Sequence, residues 1–200
     1  CDRDDEVEPE PQPSTPTTGT LKLVIRPTWN GAPFVMNQVY HNVNDYRVKV
    51  EMLKFYLGNF NLVNGGGSTL ARDVAYLDLR FNGDTVTWSG VQPGTYTGVQ
   101  AGLGVPQALN DADPIDYPAG HPLDLAQGTY WTWAMAYRFL MFDGRYDLDG
   151  AGTAAPALPF SMHTGLNACY QEFEIPLGQS LSITAGSTST LVLDMAIDKF

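Results

Sequence analysis

The chain has 200 residues, with 11 basic side chains against 22 acidic ones, a net charge of −11. Such a surface repels phosphate and argues against nucleic acid or anionic lipid headgroups as partners. Its 44% hydrophobic content suits a buried core, its 20 glycines and 14 prolines imply many turns rather than a coiled coil, and no apolar run approaches the ~18–20 residues of a membrane-spanning helix.

The first residue is Cys1, followed by Asp2-Arg3-Asp4-Asp5-Glu6-Val7-Glu8-Pro9-Glu10 and a Pro/Thr-rich stretch to Thr18. A segment so charged and so poor in apolar groups cannot bury area and repels itself. Residues 1–19 are therefore expected to be a disordered tether, and residues 20–200 the folded domain. A Cys followed by an acidic tether predicts a bacterial lipoprotein acylated on Cys1, held at the outer membrane on its periplasmic or cell-surface side. The other cysteine, Cys169, is then a buried small hydrophobe; a disulfide to Cys1 is the alternative.

From Thr20 the pattern alternates. Residues 20–26 read as a strand ending at Pro27. Residues 47–57 form a long strand whose apolar set (Val48, Val50, Met52, then Phe55, Leu57) slips phase near Leu53, the mark of a bulge. Asn64-Gly65-Gly66-Gly67-Ser68 reads as a flexible loop, 74–79 as a strand, and Asn82-Gly83-Asp84 as a hairpin turn before a strand at 85–88. Residues 95–105 form a Gly-studded strand, with Gly98, Gly102 and Gly104 leaving room for large neighbours. Residues 106–129 form a long loop, of the kind that is often functional. Strands at 130–142, 157–163, 170–176, 181–184 and 190–197 complete an all-β fold, an antiparallel β-sandwich with long loops.

Nucleophile-elbow, P-loop, dinucleotide and zinc-ligand motifs are all missing. Asp143 to Gly150 reads either as an acidic β-turn or as half of a calcium loop lacking its closing Glu. The histidines are His41, His121 and His163, each of which is equally at home as a hydrogen-bonded core or surface residue. Gly128-Thr129-Tyr130-Trp131-Thr132-Trp133 is the most specific segment. On one strand, Trp131 and Trp133 share a face with Met135 and Tyr137, either as sandwich core or as an aromatic wall facing a ligand.

The ordered set Leu53-Lys54-Phe55-Tyr56-Leu57-Gly58-Asn59-Phe60, Pro93-Gly94-Thr95-Tyr96, Gly102-Leu103-Gly104-Val105-Pro106, Asp113-Pro114, Tyr130-Trp131-Thr132-Trp133 with Tyr137-Arg138-Phe139, and Phe160-Ser161-Met162-His163-Thr164-Gly165 resembles the MbnP-like family. These are secreted or lipid-anchored proteins related to the copper-binding partner encoded near methanobactin genes. The resemblance implies a β-sandwich outside the cytoplasm that binds copper through histidines and catalyses nothing. It also implies a di-haem, peroxidase-like partner enzyme that oxidises a tryptophan to kynurenine. His163 matches the histidine of the Phe-x-x-His-x-Gly motif, and Trp131 and Trp133 match the Trp-x-Trp pair. The chain departs from the pattern in two places. Arg26-Pro27-Thr28-Trp29 stands where many relatives carry a histidine, and Thr129 replaces a methionine before the Trp-x-Trp pair. A second ligand to copper would then come from His121, His41 or Met162. The alternative function is a surface lipoprotein whose sandwich binds a glycan or a partner protein through Trp29, Tyr117 and Tyr130. A hydrolase using acid pairs in the 106–129 loop is a third reading.

Overall fold

The structure is a computed structural model that describes residues 16–81 and 83–200. Most of the expected tether, Cys1 included, lies outside these residues, as does Asn82 of the expected hairpin turn. In chain order the strands are β1 (Gly19–Trp29), β2 (Ala32–Pro33), β3 (Val39–His41), β4 (Arg47–Asn64), β5 (Gly67–Asp78) and β6 (Thr85–Val91). They continue as β7 (Gly94–Leu103), β8 (Tyr130–Trp131), β9 (Ala136–Asp147), β10 (Leu158–Gly165), β11 (Gln171–Ile183) and β12 (Thr188–Ala196).

Two sheets face each other. In the smaller, β1 is central, antiparallel to β6 and β2 and parallel to β12. In the larger, β4 is the spine. Along one edge it pairs first with β9 and then with β7; along the other, first with β3 and then with β5. β10 lies outside β9 and β11 outside β7. The expected β-sandwich is therefore the observed architecture.

The phase slip expected in β4 is real. Its register against β9 shifts between Val50 and Met52, and a second shift falls between Gly58 and Asn61 against β7. The two bulges keep Val50, Leu53, Phe55, Leu57, Phe60 and Leu62 all pointing into the core between the sheets. Without them the side-chain period of two would turn half of this set outward.

A second core lies on the opposite face of the large sheet. Tyr56, Val74, Tyr137 and Phe139 point away from the sandwich and are covered by Val105 and Leu123 of the 104–135 excursion. Gly104, at φ 126°, turns the chain out of β7. A Cβ there would meet the Phe139 ring at 2.5 Å, so glycine is required for the turn and for the contact. The excursion contains one short helix, Gln107–Asn110, and two 3-10 turns, at Pro114–Asp116 and Leu125–Gln127. Hydroxyls fasten it down. Tyr56 Oη donates to Pro122 O (3.1 Å) and pairs with Thr129 Oγ1 (2.6 Å), while Tyr137 Oη donates to Leu123 O (2.6 Å).

Several local expectations change. Residues 130–142 are not one strand, because residues 132–135 form a turn in which Ala134 N donates to Trp131 O and Met135 takes φ 50°. Residues 170–176 and 181–184 belong to one strand, β11, interrupted by a register shift after Pro176. The Gly-rich 64–68 segment is a tight turn, with Asn64 paired to Gly67. β5 and β6 do not form the expected hairpin, since β5 pairs with β4 in the larger sheet and β6 with β1 in the smaller. Cys169 is exposed, because it sits in the Asn167–Cys169 turn linking β10 to β11 and not on a strand.

Candidate functional site

Alternation along β10 turns Phe160 and Met162 toward the inter-sheet side and Ser161 and His163 toward the outer face. The register then sets Ser161 opposite Asp143 and His163 opposite Met141. His163 Nε2 meets Asp143 Oδ1 at 2.8 Å, and Ser161 Oγ donates to the same oxygen at 2.7 Å. The side chains of His163 and Asp143 are 20% and 24% exposed, so both are reachable from solvent yet held.

The ring nitrogens of His163 are used unequally. With Nε2–H donating to Asp143, the neutral ring carries its lone pair on Nδ1, which has no protein partner among the described residues. Serine and carboxylate converge on the same nitrogen, with Ser161 Oγ 3.3 Å from Nε2. A nucleophilic triad needs them on opposite nitrogens, one to orient the ring and one to give up a proton. The trio is thus a means of orienting one imidazole, with Nδ1 left without a partner among the described residues.

The indoles stand beside it. The Trp131 ring centroid is 6.5 Å from that of His163, at 44°. Trp131 lies over Gly165, where a Cβ would come within 2.6 Å of the ring. The Arg138 guanidinium sits 5.9 Å from the Trp131 ring centre, and it also hydrogen-bonds the Gly128 carbonyl. Trp133 contacts Trp131 at 5.3 Å, not along a shared strand face but across the 132–135 turn, and is 78% exposed.

Inward from His163 runs a cross-strand row of His163, Met141, Lys54 and Asp78, one residue from each of β10, β9, β4 and β5. Lys54 Nζ lies 3.7 Å from Asp78 and donates to Gln127 O at 3.1 Å. Arg80 grips the same carboxylate with two bonds, of 3.0 and 2.7 Å. Burial pushes the Lys54 ammonium down, helped by Arg80. At Asp78, burial acts upward but is outweighed by the Arg80 bonds, which hold the carboxyl low.

The other two histidines lie elsewhere. His121 stacks on Tyr117 (4.7 Å, 12°), and its Nδ1 accepts the Leu123 N–H at 3.1 Å. Its metal-binding lone pair is thus occupied, and burial pushes the imidazolium down. His41 pairs with Asp45 through Nδ1 (2.6 Å), half exposed on β3. It is in register with Arg47, seven residues along β4 from Lys54, about 23 Å at ~3.3 Å per residue. Met162 lies on the inter-sheet side of β10. Among the described residues, no three His, Cys, Asp or Glu side chains group as metal ligands.

For copper, the fit rests on the chemistry of His163. A ligating histidine characteristically gives its other ring N–H to a carboxylate, which fixes the tautomer and raises the basicity of the ligating nitrogen. Asp143 does this here. The chain supplies one aimed imidazole, with a thioether (Met141) opposite it on the neighbouring strand. Imidazole and thioether are both donor types that copper accepts.

Sequence reasoning placed Asp143 in an acidic turn, but it lies on β9. The turn proper begins after Asp147, whose Oδ1 accepts the Asp149 N–H and whose Oδ2 binds Arg47. In the 106–129 loop, Asp113 and Asp124 cap 3-10 turns by accepting Ile115 N–H and Ala126 N–H, so neither is half of a free acid pair. Of the aromatics considered for glycan stacking, Trp29 is buried, with Nε1 donating to His41 O.

A family model described as MbnP matches residues 18–200. A solved structure, MbnP from Methylosinus trichosporium, is similar at 15% identity and a TM-score of 0.57, over 81% of this chain and 72% of that one. That likeness shows the fold. A search of curated proteins finds no match.

Proposed function

The chain belongs to the MbnP family, and from that premise we propose that it is a non-enzymatic, extracytoplasmic copper-handling protein in which His163 Nδ1 is the metal-contacting atom. The carrying observation is the Asp143–His163 bond beside Trp131. The carboxylate aims the imidazole, and the indole shields one side of it. In this reading Trp131 and Trp133 form the oxidisable aromatic wall, and a di-haem enzyme is the partner that acts on it. Attachment to the outer membrane through Cys1 belongs to the same proposal and rests on sequence context alone.

The test is equilibrium dialysis of the purified chain against copper(II), with bound metal measured directly. One equivalent is expected for the unaltered chain, near zero for His163→Ala, and an unchanged value for His41→Ala. Asp143→Asn should weaken binding by about 10–100-fold, the usual cost of losing such an outer partner. Metal uptake that survives His163→Ala refutes the assignment.

A second reading, a docking module for another protein, is favoured by one observation. The β8–β9 turn presents Trp133 and Met135 at 78% and 75% exposure, large apolar groups of the type that anchor interfaces.

A further inference from the structure

The core between the sheets does not close at the end where β1 finishes and the chain runs through Ile197–Lys199. A cleft of about 200 Å³ opens there. Its floor is Trp29 and Phe142, both under one-tenth exposed. Tyr46, Tyr146 and Phe160 form its sides, and Phe160 tilts against Phe142 at 53° with ring centres 5.3 Å apart. Asp198 is the charged member of the lining. Its side chain is 7% exposed; Oδ1 accepts the Asn30 N–H (3.1 Å), and Oδ2 meets Lys199 Nζ at 2.9 Å. Lys199 is 73% exposed, so this partner reaches the acid from the solvent side and is free to swing away.

We propose that this cleft binds a small organic cation with a methylated ammonium head, of the size of choline. Aromatic side chains on several sides attract a poorly hydrated cation through their ring faces and through contact with its methyl groups. Asp198 supplies the counter-charge. When the ligand ammonium replaces the Lys199 head, which returns to water, the carboxylate stays paired throughout. The chain's charge of −11 enriches cations and depletes anions at the surface. Phe160 faces the opposite side of β10 from His163, so the cleft is separate from the copper site and the proposal goes beyond that reading.

The test is titration of the whole chain, by calorimetry or ligand-observed NMR, with choline and with 3,3-dimethylbutan-1-ol, its uncharged carbon isostere. Choline is expected to bind at least about tenfold more tightly than the alcohol. Asp198→Asn, which keeps the acceptor for Asn30, and Tyr46→Ala, at a side chain already 36% exposed, should each weaken choline about tenfold. Equal affinity for the alcohol would make the cleft merely apolar and overturn the proposal, as would no binding of choline at all. Copper uptake by Asp198→Asn should equal that of the unaltered chain, so the two proposals fail independently.

Discussion

Replacing Tyr56 by Phe tests whether the excursion is fastened to the sheet by buried hydroxyls. Tyr56 is fully buried and Thr129 is 1% exposed. Removing Oη strands two groups, the Pro122 carbonyl at 3.1 Å and the Thr129 hydroxyl at 2.6 Å. Each buried polar group left unpaired costs about 1–3 kcal/mol. At the lower end for two such groups, the loss should be about 2–3 kcal/mol. In a chain of this length that lowers Tm by roughly 4–12 °C. Hydrogen exchange should localise the loss, with amides of 104–135 exchanging faster while β4 and β9 keep their protection. The same side chain gives a pH signature. Burial raises the Tyr56, Tyr76 and Tyr137 hydroxyls well above the ordinary phenol range. A folded-state pKa above the unfolded one means that the stabilisation is complete below pH ~10 and is lost as pH rises from there toward the folded values. Three such groups set a limiting slope of about 4 kcal/mol per pH unit, and Tyr56→Phe should remove a third of it. A Tm shift under 2 °C, with unchanged exchange in 104–135, would refute the idea that these hydroxyls hold the excursion.

Three further substitutions probe other contacts. Gly165→Ala puts a methyl 2.6 Å from the Trp131 ring and 2.7 Å from the Tyr137 carbonyl oxygen; because the latter is backbone, about 1–3 kcal/mol of stability should be lost, read by urea unfolding together with a changed Trp fluorescence maximum. Arg47, 5% exposed, binds Asp147 and the carbonyls of Asp149 and Ala154, so Arg47→Ala should cost about 3–5 kcal/mol by leaving those acceptors unpaired. Trp133→Ala, at a site 78% exposed, should change stability by less than about 0.5 kcal/mol while removing a large share of solvent-quenchable fluorescence; a loss above 2 kcal/mol would show that Trp133 packs as core.

The sandwich was legible because strand signals depend on local alternation. The slip between Val50 and Phe55 announced a bulge before any neighbour of β4 was known. Its companion at Gly58–Asn61 was not announced, since Leu57, Phe60 and Leu62 read equally well as a short irregular run. The outer core was hidden for a related reason. Tyr56, Tyr137 and Phe139 sit on the face that alternation assigns to solvent, and only the excursion folding back makes that face interior. A strand buried on both sides reads as a continuous apolar run, which is what Phe55 to Leu57 and Phe139 to Phe142 are, in stretches too short to stand out beside Lys54 and Arg138.

The site was half legible, and the missing half has one physical cause. Motif order brought out His163 with Trp131 and Trp133, and the fold brings Trp131 to His163 and Trp133 to Trp131. What motif order did not supply was the partner that decides which nitrogen of the imidazole is available. Asp143 is 20 residues from His163 in the chain and reaches it only through the β9–β10 register, a pairing set by the turn between the strands and not by either residue. The same reasoning separates the three histidines without a measured metal. His121 has given its lone pair to a backbone N–H, His41 stands half exposed on a short edge strand, and His163 combines a carboxylate partner, an indole beside it and a ring nitrogen with no partner among the described residues. Chemical identity made all three equal candidates; a bond to the ring lone pair sets His121 apart, while His41 also holds a carboxylate and differs from His163 in its exposure and in lacking the neighbouring indole.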